Sequence, residues 1–106
     1  MNNKVLSLIS LATKAGKTVS GEFSVEKAVK EHKAVLVIVS DDSSDRSKKM
    51  FKDMCDFYQV PLVFAGTKAD LGHFTGKEFR ASVAILDKGC KDAIVKQLAV
   101  LESEQK

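Results

Sequence analysis

Apolar positions recur in two alternating periods along the chain. Val5, Leu8, Ile9 and Ala12 follow helical spacing, and Gly16 is a natural stop. Residues 17–20, with Thr18 and Val19, predict a brief strand. Gly21 opens a second helix with Val25, Ala28, Val29 and His32 on one stripe. Residues 34–39 form a continuous, mostly β-branched apolar run, the pattern of a strand buried on both faces. Asp41-Asp42-Ser43-Ser44-Asp45 supplies helix-capping side chains, with Asp41 and Asp42 expected to cap the third helix. That helix carries Met50, Phe51, Met54, Cys55 and Tyr58 on a broad apolar face. Pro61 punctuates, and residues 62–65 predict a third strand. A short helix follows, bracketed by Gly72 and Gly76, then an apolar strand over 82–86. Asp87-Lys88-Gly89 reads as the turn ending that strand. A last helix holds Ile94, Leu98 and Leu101, and residues 102–106 form a polar tail expected to fray.

The order α-β-α-β-α-β-α-β-α implies a three-layer α/β/α sandwich. A single mixed sheet of about four strands would carry helices on both faces. At 106 residues, 44% of them hydrophobic, the whole chain is one domain with enough apolar surface for a core. No apolar run approaches the ~20 residues that span a bilayer, and no signal-peptide core follows Met1, so no membrane role and a cytoplasmic location are expected.

Charge narrows the function. The net charge of +3 resides in the first forty residues, with none left over in the remainder. An excess near Gly16 and Lys27 suggests a local anion-binding face. Several motifs that invite chemistry fail on context. Ala15-Gly16-Lys17-Thr18 lacks the first glycine of a phosphate-binding loop and ends a helix instead of opening one. Residues 72–77 are one position short of the same loop, and Glu78 stands where a magnesium-binding hydroxyl belongs. His32 and His73 belong to no spaced cluster of metal ligands. Cys55 and Cys90 make neither a zinc site nor a disulfide framework and read as small apolar side chains. No catalytic residue, metal or cofactor is implied. A small-molecule enzyme would need a pocket of convergent polar groups near Asp41 and Asp42.

The informative stretch is 68–80. A short helix ends at Gly76, and a loop carrying Lys77, Phe79 and Arg80 leads into the strand at 82. Such a loop suits gripping a phosphate backbone or a splayed base. Phe23 and Phe79 lie off the clear helix stripes. Stacking on a base would contribute about 1–3 kcal/mol. Burial stabilises a phenylalanine by ~1.5–3 kcal/mol and makes the core the expected location of both rings.

In order and spacing these residues resemble the RNA-binding ribosomal proteins that recognise kink-turns, the large-subunit 7Ae/30e type, and in particular its bacterial YlxQ-like branch. The branch's Leu-Ala-x-Lys-Ala-Gly-Lys-x-Val-Ser-Gly-Glu matches residues 11–22. Its Lys-x-x-Leu-Gly-x-x-x-Gly matches Lys68, Leu71, Gly72 and Gly76. The resemblance implies the same sandwich and an RNA site at one end of it. It assigns to that site Lys17, Gly21, Glu22, Phe23, Ser24, Lys27, Asp42, Lys68, Lys77, Phe79, Arg80 and Ala81. Kink-turn binders place Gly-x-Asn-Glu-x-x-Lys at the helix start to read sheared G·A pairs. Gly21 and Lys27 match, whereas Phe23 and Ser24 replace the asparagine and glutamate. Phenylalanine cannot read a base edge and serine offers one hydroxyl. The implied partner is structured RNA, rRNA or another kink-turn-like RNA, bound with altered or relaxed specificity, together with ribosome or ribonucleoprotein proteins. The alternative is a protein–protein adaptor that kept the fold and lost RNA.

Overall fold

A computed structural model describes residues 3–104. Helices and strands alternate as expected: α1 (Asn3–Lys14), β1 (Thr18–Ser20), α2 (Glu22–Lys30), β2 (Leu36–Val39), α3 (Asp45–Tyr58), β3 (Leu62–Phe64), α4 (Lys68–Phe74), β4 (Ser82–Ile85) and α5 (Lys88–Glu104). The strands form one mixed sheet in the order β1-β4-β2-β3. Only β2 and β3 run parallel; β4 is antiparallel to both β1 and β2.

The two central strands are buried along their whole length. Successive side chains point to opposite faces. Leu36 and Ile38 of β2, with Val83 and Ile85 of β4, meet Val5 and Ile9 of α1, Leu71 of α4 and Ile94 of α5. Val37, Val39 and Ala84 meet Val25, Ala28 and Val29 of α2 and Phe51 and Cys55 of α3. Three helices therefore cover one face of the sheet and two cover the other, as a three-layer sandwich requires. The free edges are β1 and β3.

Local details depart from the sequence expectations in five places. Ser44, not Asp41 or Asp42, caps α3 by accepting from the Ser47 N–H at 3.1 Å. Serine fits because its short side chain folds back on the third amide of the helix. Asp87-Lys88-Gly89 is the start of α5: the Asp87 carboxylate accepts from the Cys90 N–H at 3.0 Å. Aspartate and glycine suit a turn and a helix start alike, and the amide at Cys90 decides between them. His32 leaves the α2 stripe; the helix ends at Lys30 and His32 is exposed at φ 60°, its ring edge-on to Tyr58. The buried face of α3 is narrower than its sequence suggests, since Met50 is exposed beside the buried Phe51 and Cys55. The fifth departure, the exposure of Phe23 and Phe79, belongs to the site below. The helix α5 continues to Glu104; the Leu101 side chain and the end of the polar tail lie outside the described residues.

Candidate nucleic-acid interface

The site is assembled at the end of the sheet where β1 and β2 finish and β4 begins. The helix α4 opens at a Thr67 cap, whose hydroxyl accepts from the Asp70 N–H. It closes with a Schellman arrangement, in which the Lys77 N–H bonds to the Gly72 carbonyl and the Gly76 N–H to the His73 carbonyl. Gly76, at φ 77°, supplies the left-handed residue this stop requires. The chain then folds back over its own helix. A Cβ on Gly72 would overlap the Glu78 carbonyl and lie 2.7 Å from the Phe79 nitrogen. The loop 77–81 therefore packs backbone against backbone on α4, with glycine the residue that permits it.

Four backbone contacts fasten this loop and its neighbours. The Arg80 N–H donates to the Lys68 carbonyl at 3.0 Å, and the Ser40 N–H to the Ala81 carbonyl at 2.8 Å. The Gly21 N–H donates to the Ser82 carbonyl at 3.0 Å, and the Asp41 N–H to the Gly66 carbonyl at 2.8 Å. Side chains add two more. Arg80 Nε donates to the Ser20 hydroxyl at 3.2 Å, and the Lys68 N–H donates to Asp42 Oδ1 at 3.0 Å. Gly21, Asp42, Lys68 and residues 77–81, dispersed over sixty positions of sequence, thus share one end of the molecule.

Phe23 and Phe79 are not core residues. They are 79% and 64% exposed. Phe23 lies in the first turn of α2, away from the buried Val25, Ala28 and Val29, and it borders the same surface hollow as Lys27. Gly21 caps this helix without a side-chain hydrogen bond, so the first-turn amides have no capping side chain to accept from them. Ser24 is half-buried, and Glu22 and Lys27 are exposed.

Lys17 stands apart. Its carbonyl accepts from Leu86 beyond the far end of β4, and its charge helps hold down the Asp87 carboxyl. Strand β1 separates it from the Gly21 end by about 10 Å of backbone. Ser20 opens the segment 20–27 that the resemblance assigns to the site, but its pairing with Arg80, sixty residues away, carries no local signal in the sequence.

Charge compensation differs between regions. Lys30, Lys33, Lys49 and Lys52 are each paired with a glutamate or aspartate. Among the described residues no ion pair engages Lys27, Lys68, Lys77 or Arg80. Asp42 is committed to structure. Desolvation pushes its carboxyl upward, but hydrogen bonds from Ser40 and the Lys68 backbone, with the Lys68 charge, outweigh this and hold it below its usual range. The Asp87 carboxyl is lowered by the backbone and side-chain bonds of Cys90. The thiols are not activated. Burial, with the Asp56 charge, pushes Cys55 up to about 11, and desolvation and Asp87 raise Cys90. Among the described residues no three metal-ligating side chains converge, and no helix is long and apolar enough to cross a membrane.

The two lowered carboxyls set a pH dependence. A depressed folded-state pKa stabilises above the ordinary carboxylate range and ceases to do so as pH falls through the lowered value. Melting temperature is expected to fall below about pH 4. Asp42→Asn and Asp87→Asn, which keep an acceptor without titrating, should each shallow that fall. Identical acid limbs in the wild type and both variants would exclude this role.

Comparison with known proteins places the fold in a family. The model of the ribosomal protein L7Ae/L30e/S12e/Gadd45 family matches residues 3–95. RNA-binding protein YlxQ of Bacillus subtilis is 37% identical over 91 residues, 86% of this chain and 91% of its own. Large ribosomal subunit protein eL8 of Thermoplasma volcanium is 29% identical over 92% of this chain and 82% of its own. Among solved structures, a Bacillus halodurans protein of unknown function superposes with a TM-score of 0.84 at 35% identity, covering 90% of this chain and 96% of that one. The Giardia lamblia 15.5kD RNA binding protein shares the fold, with a TM-score of 0.76 at 22% identity over 97% of this chain and 92% of that one. With its alternating elements, its mixed four-stranded sheet and a family match over nearly the whole length, the chain belongs to the L7Ae/L30e/S12e/Gadd45 family of ribosomal proteins.

Proposed function

We propose that this protein is a non-catalytic RNA-binding protein of ribosomes or other ribonucleoprotein particles, acting in the cytoplasm. Its grip on structured RNA lies at the end of the sheet formed by residues 21–27, Asp42, Lys68 and the loop 77–81. The observation that carries this reading is the convergence there of Lys68 and Arg80, without ion pairs, beside the exposed ring of Phe79. Cations that are not tied up in ion pairs suit phosphates, and exposed rings suit unstacked bases. The names of the YlxQ and eL8 relatives point the same way.

Base reading is the altered part. With Phe23 and Ser24 in place of asparagine and glutamate, the α2 start lacks the amide and carboxylate that discriminate base edges. The preference for a kink-turn over a plain duplex is therefore relaxed. The test is a titration of the protein with a kink-turn stem–loop and with a fully paired duplex of equal length, from about 50 to 200 mM salt. Both RNAs should bind, with affinity falling steeply with salt and little difference between them. Phe23→Asn combined with Ser24→Glu should raise the kink-turn preference about tenfold, the scale of one good base contact. A wild type that binds neither RNA at low salt removes the proposal. It would leave the protein–protein adaptor, which the 79% exposure of Phe23 favours.

A further inference from the structure

Beside the proposed interface, β1 borders a groove of about 440 Å³ that runs between the ends of α1 and α4. Thr13, Thr18 and Thr75 line it together with Val19, Ser20, Ser24, Lys77 and Arg80. No carboxylate is among the lining residues. The three threonine hydroxyls are spent as donors within the fold. Thr13 Oγ1 donates to the Ile9 carbonyl at 2.9 Å, so the 2.9 Å contact between Thr13 and Thr18 is donated by Thr18. Thr75 Oγ1 donates to the Leu71 carbonyl at 2.7 Å. The remaining donors belong to the other residues. Ser20 accepts from Arg80 Nε and keeps its own O–H. Arg80 gives Nη1 to the Phe79 carbonyl and retains further N–H groups. Among the described residues, the Ser24 hydroxyl and the Lys77 ammonium have no protein partner.

We infer that this groove holds a phosphate of an RNA strand as the strand leaves the α2 start. The inference rests on the RNA-binding function proposed above and extends it over the free edge of β1. Two cations and two hydroxyls without a carboxylate match a phosphodiester, which offers acceptors and no donor. A groove of this volume admits a nucleotide-sized group. Ser24 and Arg80 line both the groove and the α2 interface, so a strand passes from one to the other without a break.

The experiment is an amide ¹⁵N–¹H titration of the full chain with a uridine octamer, a kink-turn stem–loop and inorganic phosphate in separate arms. Either RNA should shift Thr18, Ser20, Thr75 and Lys77 with one saturable affinity. Lys77→Ala should weaken the octamer about tenfold, the scale of a charge-assisted hydrogen bond. Shifts confined to residues 22–27 and Lys68 would overturn the groove and leave the RNA-binding function intact. Silence with both RNAs would overturn the two together. Inorganic phosphate that shifts the groove residues at lower concentration than the octamer would overturn the assignment to an RNA strand.

Discussion

Replacing Gly72 with alanine should lower the melting temperature by roughly 10 °C and displace the loop 77–81. The added methyl group meets the backbone of Glu78 and Phe79, which cannot swing aside as a side chain would. Overpacking costs about 1–3 kcal/mol, and contact with main chain belongs at the upper end of that range. Alanine recovers up to about 1 kcal/mol of helix propensity, leaving a net loss near 2 kcal/mol. At about 4–8 °C per kcal/mol for a domain of this size, the shift follows. The loop has little freedom to yield, because Lys77, Arg80 and Ala81 are each hydrogen-bonded to α4 or to the end of β2. Gly76→Ala is the control. An added Cβ there meets nothing within 4 Å, so its cost is the left-handed backbone alone, about 1–2 kcal/mol, and α4 keeps its contact with Glu78. Since a loss of 2 kcal/mol leaves a typical domain almost fully folded, any fall in RNA affinity of Gly72→Ala at 25 °C reports displaced loop geometry. A melting temperature within about 2 °C of wild type, with unmoved amide signals at 77–81, would refute the close packing.

The fold was legible because its elements obey simple periods. The alternation of 3.6-residue stripes with β-branched runs placed all nine elements, and the glycines four apart marked α4 as closely packed and sharply stopped. What escaped was long-range or geometric. Asp42 sits where a cap for α3 is expected, yet it accepts from Lys68, twenty-six residues on, because the ends of β2 and β3 are adjacent in the sheet. Lys17 looks like a neighbour of Gly21 in sequence, but an extended strand carries it to the opposite end. The exposure of Phe23 was available from angles. At 100° per residue, Phe23 points well away from Val25, Ala28 and Val29 and shares a side with Lys27. Transfer energy alone argued for burial and ignored which side the helix turns inward. A lysine at the start of α4 was a further signal, since a cation there opposes the helix dipole and asks for another reason to be present.

The double variant Lys27→Ala with Arg80→Ala should lower RNA affinity by two to three orders of magnitude near physiological salt. Hydrogen bonds to charged groups contribute about 1.5–3 kcal/mol each, and the two side chains lie on different elements, α2 and the loop before β4. The salt dependence is the sharper readout. Each phosphate contact contributes about 0.9 to the slope of log affinity against log salt on duplex RNA treated as B-DNA, so the slope should flatten by close to 2. Lys27 is exposed in α2 without an ion pair, so its loss leaves the fold untouched. Arg80 is half-buried and holds Ser20 and the Phe79 carbonyl, so part of its effect could come through the loop. Arg80→Lys separates the two contributions. It keeps the charge and loses the planar fork, so it should retain the wild-type slope while binding more weakly. A double variant with wild-type slope would mean that the phosphates contact other cations, and that neither Lys27 nor Arg80 belongs to the RNA face.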